Sequence, residues 1–536
     1  PGEVENFTGG NTVIYPYLGV PSDASAETLI NYIRGTDYAG LRNRTADGDV
    51  WKLGDIISSG AVSVQSVIER YDFIYGDQSY IPYRDLYENR RQVVYVGAND
   101  GMLHCFNSGI PMPLQEDPIE PMMLVDNDYD IGQELWAYVP YNLLPHLKWL
   151  RDPSYCHVYY NDLETYVTDA QIFIDDDVHP NGWGTLLIGG MRLGGMTIAS
   201  DVDTCGSAFF AIDVTDPENP VPLWEFSHPD LGLTTCYSCV IKVKDTWYLV
   251  FGSGPQTCGG ESTRNARIFC LDLRTGALLN TWTVADPNSF ISNIFGADWG
   301  LDYTVDRIYA GSCIADPLLP GGWGGKIYRL LTKNDTNPLA WEFEMIFDMQ
   351  RPITAEGSIA TDQYNHLWLY FGSGRFFSEI DECDYSTQRY VGFREDTTHA
   401  KTVVGLFNVS DVRVDTNDVV YYPSGATSSF DALIDTVNTV CGWWRELGDA
   451  ANMGERNLTT SLVFGGAVLY TTYVPTGDIC EYGGRGNLHA LYFRTGTAYT
   501  EPFLIAADTA QFRTTKINLG QGMPSEPSLY VSGDQT

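Results

Sequence analysis

The run VVYVGAND, Val93 to Asp100, is an apolar strand closed by a glycine, and its design returns along the chain. It recurs as TLLIGGM (185–191), YLVFGSG (248–254), RIYAGSC (307–313), LYFGSG (369–374) and LVFGGA (462–467). The spacing is roughly sixty residues in the middle of the chain and roughly ninety at the two outer intervals, a period that marks a repeat architecture. Between these runs lie second strands ending in acidic or Thr-Gly turns: FFAIDVTDP, IFCLDLRTGA and LHALYFRTGT. Each pair is a hairpin-rich module too small to bury its own face, so the modules must stack. Radial stacking of antiparallel sheets leaves only short, protected edges, which predicts an all-β fold of the β-propeller type. A pair of β-sandwiches is the rival, but it would lack this long period.

Composition agrees. Of 536 residues, 44% are hydrophobic and 19% charged, a balance that folds rather than stays disordered. The 34 Tyr and 53 Gly suit short pleated strands and tight turns. A formal charge of −37 with no Lys/Arg-rich run opposes binding to nucleic acid or anionic lipid. No apolar run reaches the roughly 18 residues that span a bilayer, so no membrane span is expected. Eleven cysteines form no zinc-ribbon spacing, and Cys236-Tyr-Ser-Cys239 is followed by Val240 rather than the His of haem attachment. Disulfides are the default expectation, with at least one thiol left over.

Helix signals are confined to Glu27 to Arg34, parts of Tyr141 to Leu150, and Phe430 to Val440. Residues 1–50 read as a lead-in from an upstream region, 51–508 as the propeller with loop and short-helix insertions, and 509–536 as a polar tail. The interval from Phe376 to Asn457 is the longest without a glycine-closed strand and reads as an insertion. Because the chain opens with Pro1 rather than Met, a mature form or a fragment is expected.

Two acidic loops have the chemistry of a calcium site. Asp298-Trp-Gly-Leu-Asp302-Tyr-Thr-Val-Asp306 places carboxylates at positions 1, 5 and 9 and runs directly into RIYAGS. Hard divalent cations need several oxygens, and acidic side chains at odd positions of a tight loop converge as the backbone wraps round. The second loop, Asp126-Asn-Asp128-Tyr-Asp130-Ile-Gly132-Gln-Glu134, carries carboxylates at positions 1, 3, 5 and 9 and is the richer in ligands. The plain alternative for both is an acidic surface turn. Asp175-Asp176-Asp177 and the pair Asp201 and Asp203 read as solvated loop charges.

The runs NYIRGTD (31–37), WKLGDIISSGAVSV (51–64), VVYVGANDGMLHCFN (93–107), GQELWAYVPYNLLPHL (132–147) and WGTLLIGGMRLGG (183–195) continue with FFAIDVTDPENPVPLWEF (209–226), DRIYAGS (306–312), RPITAEGS (351–358), FGSGRFF (371–377) and GGAVLYTTYVP (465–475). Together, in this order, they resemble the C-terminal propeller of the PilY family, calcium-binding adhesins of type IV pilus tips. The resemblance implies a modified, about seven-bladed, quinoprotein-like propeller. It implies a calcium site at Asp298, Asp302 and Asp306, with the Thr304 carbonyl at the seventh position. The family loop usually has Asp or Asn third and Gly sixth; here Gly300 and Tyr303 stand there, so water or the Gly300 carbonyl would fill one ligand place. Glu134 falls inside the family's GxExW strand and has a structural reading as well.

The resemblance further implies an extracellular protein at the pilus tip or outer cell surface that docks to minor pilins and presents loops to a host or abiotic surface. An upstream von Willebrand A-like domain is what many family members carry. Two alternatives stand beside it: a secreted quinoprotein-like dehydrogenase, and a purely structural cap of a filament. LDLRTGALLNTW (271–282) is similar to the blade motif of quinoprotein dehydrogenases, but that motif concerns packing, and the vicinal Cys-Cys of many quinone pockets is absent. There is no H-E-x-x-H and no G-x-S-x-G elbow. GGWGGK (321–326) fails as a phosphate loop because Pro320 replaces its first Gly and Ile327 follows the Lys. The expectation is therefore a protein that is not an enzyme.

Overall fold

The computed structural model describes residues 4–112, 123–126, 128–200, 202–395, 402–476, 483–504 and 511–529. Asp201 and Cys480, and the ends of the expected tail, lie outside them. Contacts divide the chain into two compact units. The first comprises Pro1–Thr257, Phe269–Thr281 and Leu301–Thr304; the second comprises Cys258–Ile268, Trp282–Gly300 and Val305–Thr536.

Among the described residues, six sheets of four or five strands follow one another in chain order. The first is built from Val62–Val64, Gln92–Gly97, Leu103–Met112 and Glu134–Tyr138, with Met123–Val125 added on the long third strand. The second contains Tyr166–Gln171, Trp183–Gly190, Phe209–Asp213 and Val221–Phe226, and the third Cys239–Val243, Thr246–Gly252, Arg267–Asp272 and Leu278–Thr283. The fourth has Ser289–Ala297, Arg307–Ala315, Lys326–Leu331 and Glu342–Asp348 as its main strands. The fifth has Ser358–Thr361, Leu367–Gly372, Gln388–Arg394 and Gly442–Leu447, and the sixth Leu462–Phe464, Ala467–Val474, Arg485–Tyr492 and Lys516–Gln521. Neighbouring strands named for the first, second, fourth, fifth and sixth sheets are antiparallel, as are the first two strands of the third. In the first sheet one row runs Val62, Tyr95, Cys105, Trp136; in the second, Val167, Leu187, Ile212, Pro222.

Five of the six glycine-closed runs are the second strand of their sheet. The glycine is required by a close approach. A Cβ placed on Gly97 would lie 2.3 Å from the Asn161 carbonyl oxygen, one on Gly311 would lie 2.5 Å from Ile353 Cγ2, and one on Gly372 would lie 2.2 Å from Asn457 Oδ1. Asn161, Ile353 and Asn457 each belong to the segment leading into the next sheet. The repeat in the sequence thus records where one sheet hands over to its neighbour. LVFGGA is the exception: Leu462–Phe464 is a first strand, and Gly465 and Gly466, at φ 59° and 84°, turn the hairpin into Ala467–Val474. The counterpart of the repeat in the sixth sheet carries no closing glycine and is invisible to a search for one.

Cores form where sheets meet face to face. In the first unit, Tyr95, Leu103, Leu187, Phe210 and Ile212 join the first two sheets. In the second unit, Tyr309, Phe347, Leu369 and Phe393 join the fourth and fifth, and Tyr370, Trp443, Tyr470 and Leu491 the fifth and sixth. Each such side chain, fully buried, contributes about 1.5–3 kcal/mol. A tryptophan in the fourth strand adds a directed link in three places. Trp136 Nε1 donates to Pro217 O at 2.8 Å, Trp224 to Leu273 O at 2.9 Å, and Trp443 to Phe493 O at 2.9 Å, each reaching the turn after the next sheet's third strand. In LDLRTGA, Asp272 caps this turn by accepting from Thr275 N and Thr275 Oγ1 at 2.8 and 2.7 Å. Gly276, at φ 68°, leaves room for the Trp224 ring. Trp282 of the same motif stacks on Trp341 instead.

The expected helices are present as Asp23–Ile33, Tyr141–Arg151 and Phe430–Thr439, the middle one a 3₁₀ helix with Pro145 inside. Leu29, Ile30 and Ile33 of the lead-in pack on Leu143, Leu144 and Leu147. Three expectations need correction. The interval 376–457 is only partly an insertion, since Gln388–Arg394 and Gly442–Leu447 are the third and fourth strands of the fifth sheet. The inserted part lies between them and contains Arg413–Val414, Val419–Tyr421 and Thr427–Ser429 as a three-stranded sheet beside the helix Phe430–Thr439. The boundary expected at 508 falls inside the sixth sheet, because Lys516–Gln521 is its fourth strand. Cysteine pairing also differs: Cys105, Cys156, Cys205, Cys270, Cys313 and Cys383 are thiols. Cys105, Cys270 and Cys313 are buried strand residues that pack as small apolar groups, and burial raises all three thiol pKa values.

Candidate metal centre

The loop from Asp298 to Asp306 joins the antiparallel strands Ser289–Ala297 and Arg307–Ala315, so it is the tip of a hairpin in the fourth sheet. Asp306 N donates to Ala297 O at 3.0 Å and closes its base. The Asp306 carboxylate turns back into the loop, where Oδ2 accepts from Trp299 N at 3.0 Å and Gly300 N at 3.4 Å. The Arg307 guanidinium lies 4.2 Å from the centre of the Trp299 ring and reaches Glu395 at 2.9 Å. These groups belong to the second unit, as do Asp298 and Gly300; Asp302 and Thr304 belong to the first.

In the first unit, Asp302 Oδ1 accepts from Thr304 N at 3.2 Å, while buried Thr304 accepts from Lys244 N through its hydroxyl at 3.4 Å. Leu301 and Tyr303 take positive φ, 49° and 68°. Tyr303 stands at the sixth position, where glycine was expected, and adopts the left-handed backbone itself. Its ring stacks on Tyr75 at 4.3 Å with Lys242 Nζ 3.2 Å from its centre. Packing on the ring therefore holds the turn that a glycine would make without cost.

The donor set of this loop, three carboxylates with the Gly300 and Thr304 carbonyls, is all oxygen, which is the chemistry of a hard cation. Among the described residues, no group of three or more His, Cys, Asp or Glu side chains is gathered in a metal-holding cluster.

The second loop is committed differently. Asp126 is fully buried against Arg91, whose side chain is 4% exposed and which also meets Glu218 at 2.9 Å and Asn107 Oδ1 at 2.9 Å. Asn107 Nδ2 donates to Asp126 Oδ2 at 2.8 Å and to the Asp130 carbonyl at 3.1 Å. Glu134 pairs with His104 Nδ1 at 2.6 Å, and His104 Nε2 meets Asp100 at 3.2 Å. Of the four carboxylates, two already have protein cations, and Asp128 and Asp130 remain exposed. Sequence reasoning missed Arg91. Its signal was present: two adjacent arginines immediately before a strand of apolar residues call for buried acceptors. Asp176, read as a solvated loop charge, is exposed, and its carboxylate also accepts from Val178 N and His179 N at 2.9 and 2.7 Å and caps a turn.

Comparison with known proteins places these features. The family model described as the PilY1 beta-propeller domain matches residues 53–410. A Xylella fastidiosa protein named type IV pilus biogenesis factor PilY1 homolog is 28% identical over 519 residues, which cover 92% of this chain and 36% of that protein. The type IV pilus biogenesis factor PilY1 of Pseudomonas aeruginosa strain PAO1 is 26% identical over 507 residues, 84% of this chain and 39% of that one. The chain thus spans less than half the length of these curated relatives. The crystal structure of the Pseudomonas aeruginosa PilY1 C-terminal domain superposes with a TM-score of 0.57 at 20% identity, covering 85% of this chain and 93% of that one. That likeness and the family match make the all-β fold a β-propeller. With two thirds of its residues inside the matched domain, the chain belongs to the PilY1 β-propeller family.

Proposed function

We propose that this chain serves type IV pilus biogenesis as a calcium-supported propeller that docks to minor pilins at the pilus tip or outer cell surface and presents loops for attachment to a host or abiotic surface. The observation that carries the reading is the family match over 53–410, joined by relatives from two organisms whose names are those of type IV pilus biogenesis factors. We read the protein as a binder rather than an enzyme. Of the buried histidines, His104 pairs with Asp100 and Glu134, His489 pairs with Glu455, and His146 donates from Nε2 to the Met196 carbonyl at 2.6 Å. Among the described residues, no helix is long and apolar enough to cross a membrane.

For calcium, the 298–306 loop is the favoured site on the strength of the family position that Asp298, Asp302 and Asp306 occupy, while in the richer loop Asp126 pairs with Arg91 and Glu134 with His104. The exposed edge strand Lys516–Gln521, with Leu519 half exposed, is a surface on which a pilin segment can add a strand. The test is deletion in the native organism with complementation by a tagged chain. Surface pili should fall on deletion, and minor pilins should co-purify with the tag. Unchanged piliation together with a tagged chain that brings down no pilin would overturn the reading.

A further inference from the structure

The inserted part of the fifth sheet and the residues flanking the Thr-Gly turn of the sixth line an open cleft of about 630 Å³, all within the second unit. This volume lies in the range of small-ligand sites. Its apolar side is aromatic. Tyr492 and Tyr499 stack at 4.3 Å with an angle of 14° between their rings, and Phe430 stands 5.7 Å from each. Both tyrosines are only partly buried, and Tyr499 also stacks on Phe503 at 5.7 Å.

The opposite wall is dense in hydrogen-bonding groups: carboxylates of Asp418 and Asp431 and the Thr427 hydroxyl, with further hydroxyl and amide groups beside them. No lysine, arginine or histidine among the described residues lines the pocket, which disfavours phosphate, uronate or sialylated ligands. Nor does the wall demand a cation. Arg513, behind it, pairs with Asp418 at 2.8 Å, leaving Asp431 as the carboxylate whose charge faces the space. Acceptor carboxylates and rotatable hydroxyls facing aromatic rings match a molecule that carries many hydroxyls on one side and C–H groups on the other.

We propose that this pocket binds a neutral saccharide, with its hydroxyls on Asp431, Asp418 and Thr427 and its C–H face toward Tyr492 and Tyr499. All the lining residues lie beyond residue 410, where the match to the family domain ends. The site depends neither on the calcium loop nor on pilin docking.

Isothermal titration of the purified chain with lactose, maltose and chitobiose tests the proposal, with 3′-sialyllactose as the anionic probe and spermidine as the cationic one. At least one neutral disaccharide should bind, and sialyllactose should bind at least tenfold more weakly. Asp431→Asn and Thr427→Val are exposed changes expected to leave the melting temperature unaltered, and each should weaken that binding about tenfold. Absence of binding by all three neutral sugars overturns the proposal. So does binding that neither variant changes, or spermidine binding tighter than any sugar.

Discussion

Tyr303 holds a left-handed backbone, at φ 68°, that costs a bulky side chain of order 1–3 kcal/mol, and it is held there by Tyr75 and Lys242. The loop therefore keeps its turn without the usual glycine. Asp306 has both a structural and a proposed ligand role, since it caps two amides and faces into the loop. Asp306→Ala should weaken calcium binding about tenfold or more, or about 1.4 kcal/mol, whereas Asp128→Ala should leave it unchanged. Calcium titrations that lose affinity only in Asp128→Ala would reverse this ranking. His104 gives a pH prediction. Burial opposes its charge, but hydrogen bonds to Asp100 and Glu134 outweigh burial and lift it to about 9. Because the folded value exceeds the unfolded value of about 6.5, the pair's contribution to stability is complete below about pH 6.5 and is lost as pH rises through about 9. The urea midpoint of His104→Gln should fall furthest below that of the unaltered chain near pH 6, and the gap should close near pH 10. A gap that widens with pH would contradict the pairing.

At the scale of the strand, the closing glycine and the docking tryptophan are the two devices that join sheets. The glycine makes room for a residue of the segment coming into the next sheet, and the tryptophan donates a hydrogen bond to that sheet's far turn. Gly97→Ala would put a methyl group against a backbone carbonyl, which yields less readily than a side chain. It should cost about 1–3 kcal/mol by urea denaturation. Gly10→Ala, where an added Cβ meets nothing within 4 Å, is the control and should stay within about 0.5 kcal/mol. Equal midpoints for the two variants would remove the close-approach account. The repeat of strands was legible because alternation and glycine are local signals. The tryptophans LWAY, LWEF and GWW were just as regular in sequence, yet nothing local says that their partners are the turns of the following sheet.

At the scale of the molecule, 69 acidic residues against 32 basic ones leave strong self-repulsion in the folded state. A cation bound only by the folded chain would offset part of it. With a dissociation constant of about 10⁻⁵ M, about 1 mM calcium would add about 2.7 kcal/mol by mass action. The melting temperature should rise clearly between chelator and millimolar calcium, and rise less in magnesium at the same ionic strength, which controls for screening. Identical melting in all three media would count against a specific site.

The sequence by itself determined the class of fold, the recurring glycine-closed strands, the three helical segments and the family, since these rest on periodicity, backbone preference and colinear motifs. Tertiary structure alone decided what each charge does. Asp126 and Glu134 read as ligands in sequence because carboxylates at odd loop positions are ligand-like, but Arg91 and His104 reach them from neighbouring strands and neutralise them. It also decided that LVFGGA begins a sheet, that the supposed tail supplies Lys516–Gln521, and that residues 417–434 and 492–500 meet around one pocket. The physical reason is the same throughout: side-chain alternation is set by neighbours along the chain, whereas pairing, register and the partner of a buried charge are set by residues far away in sequence.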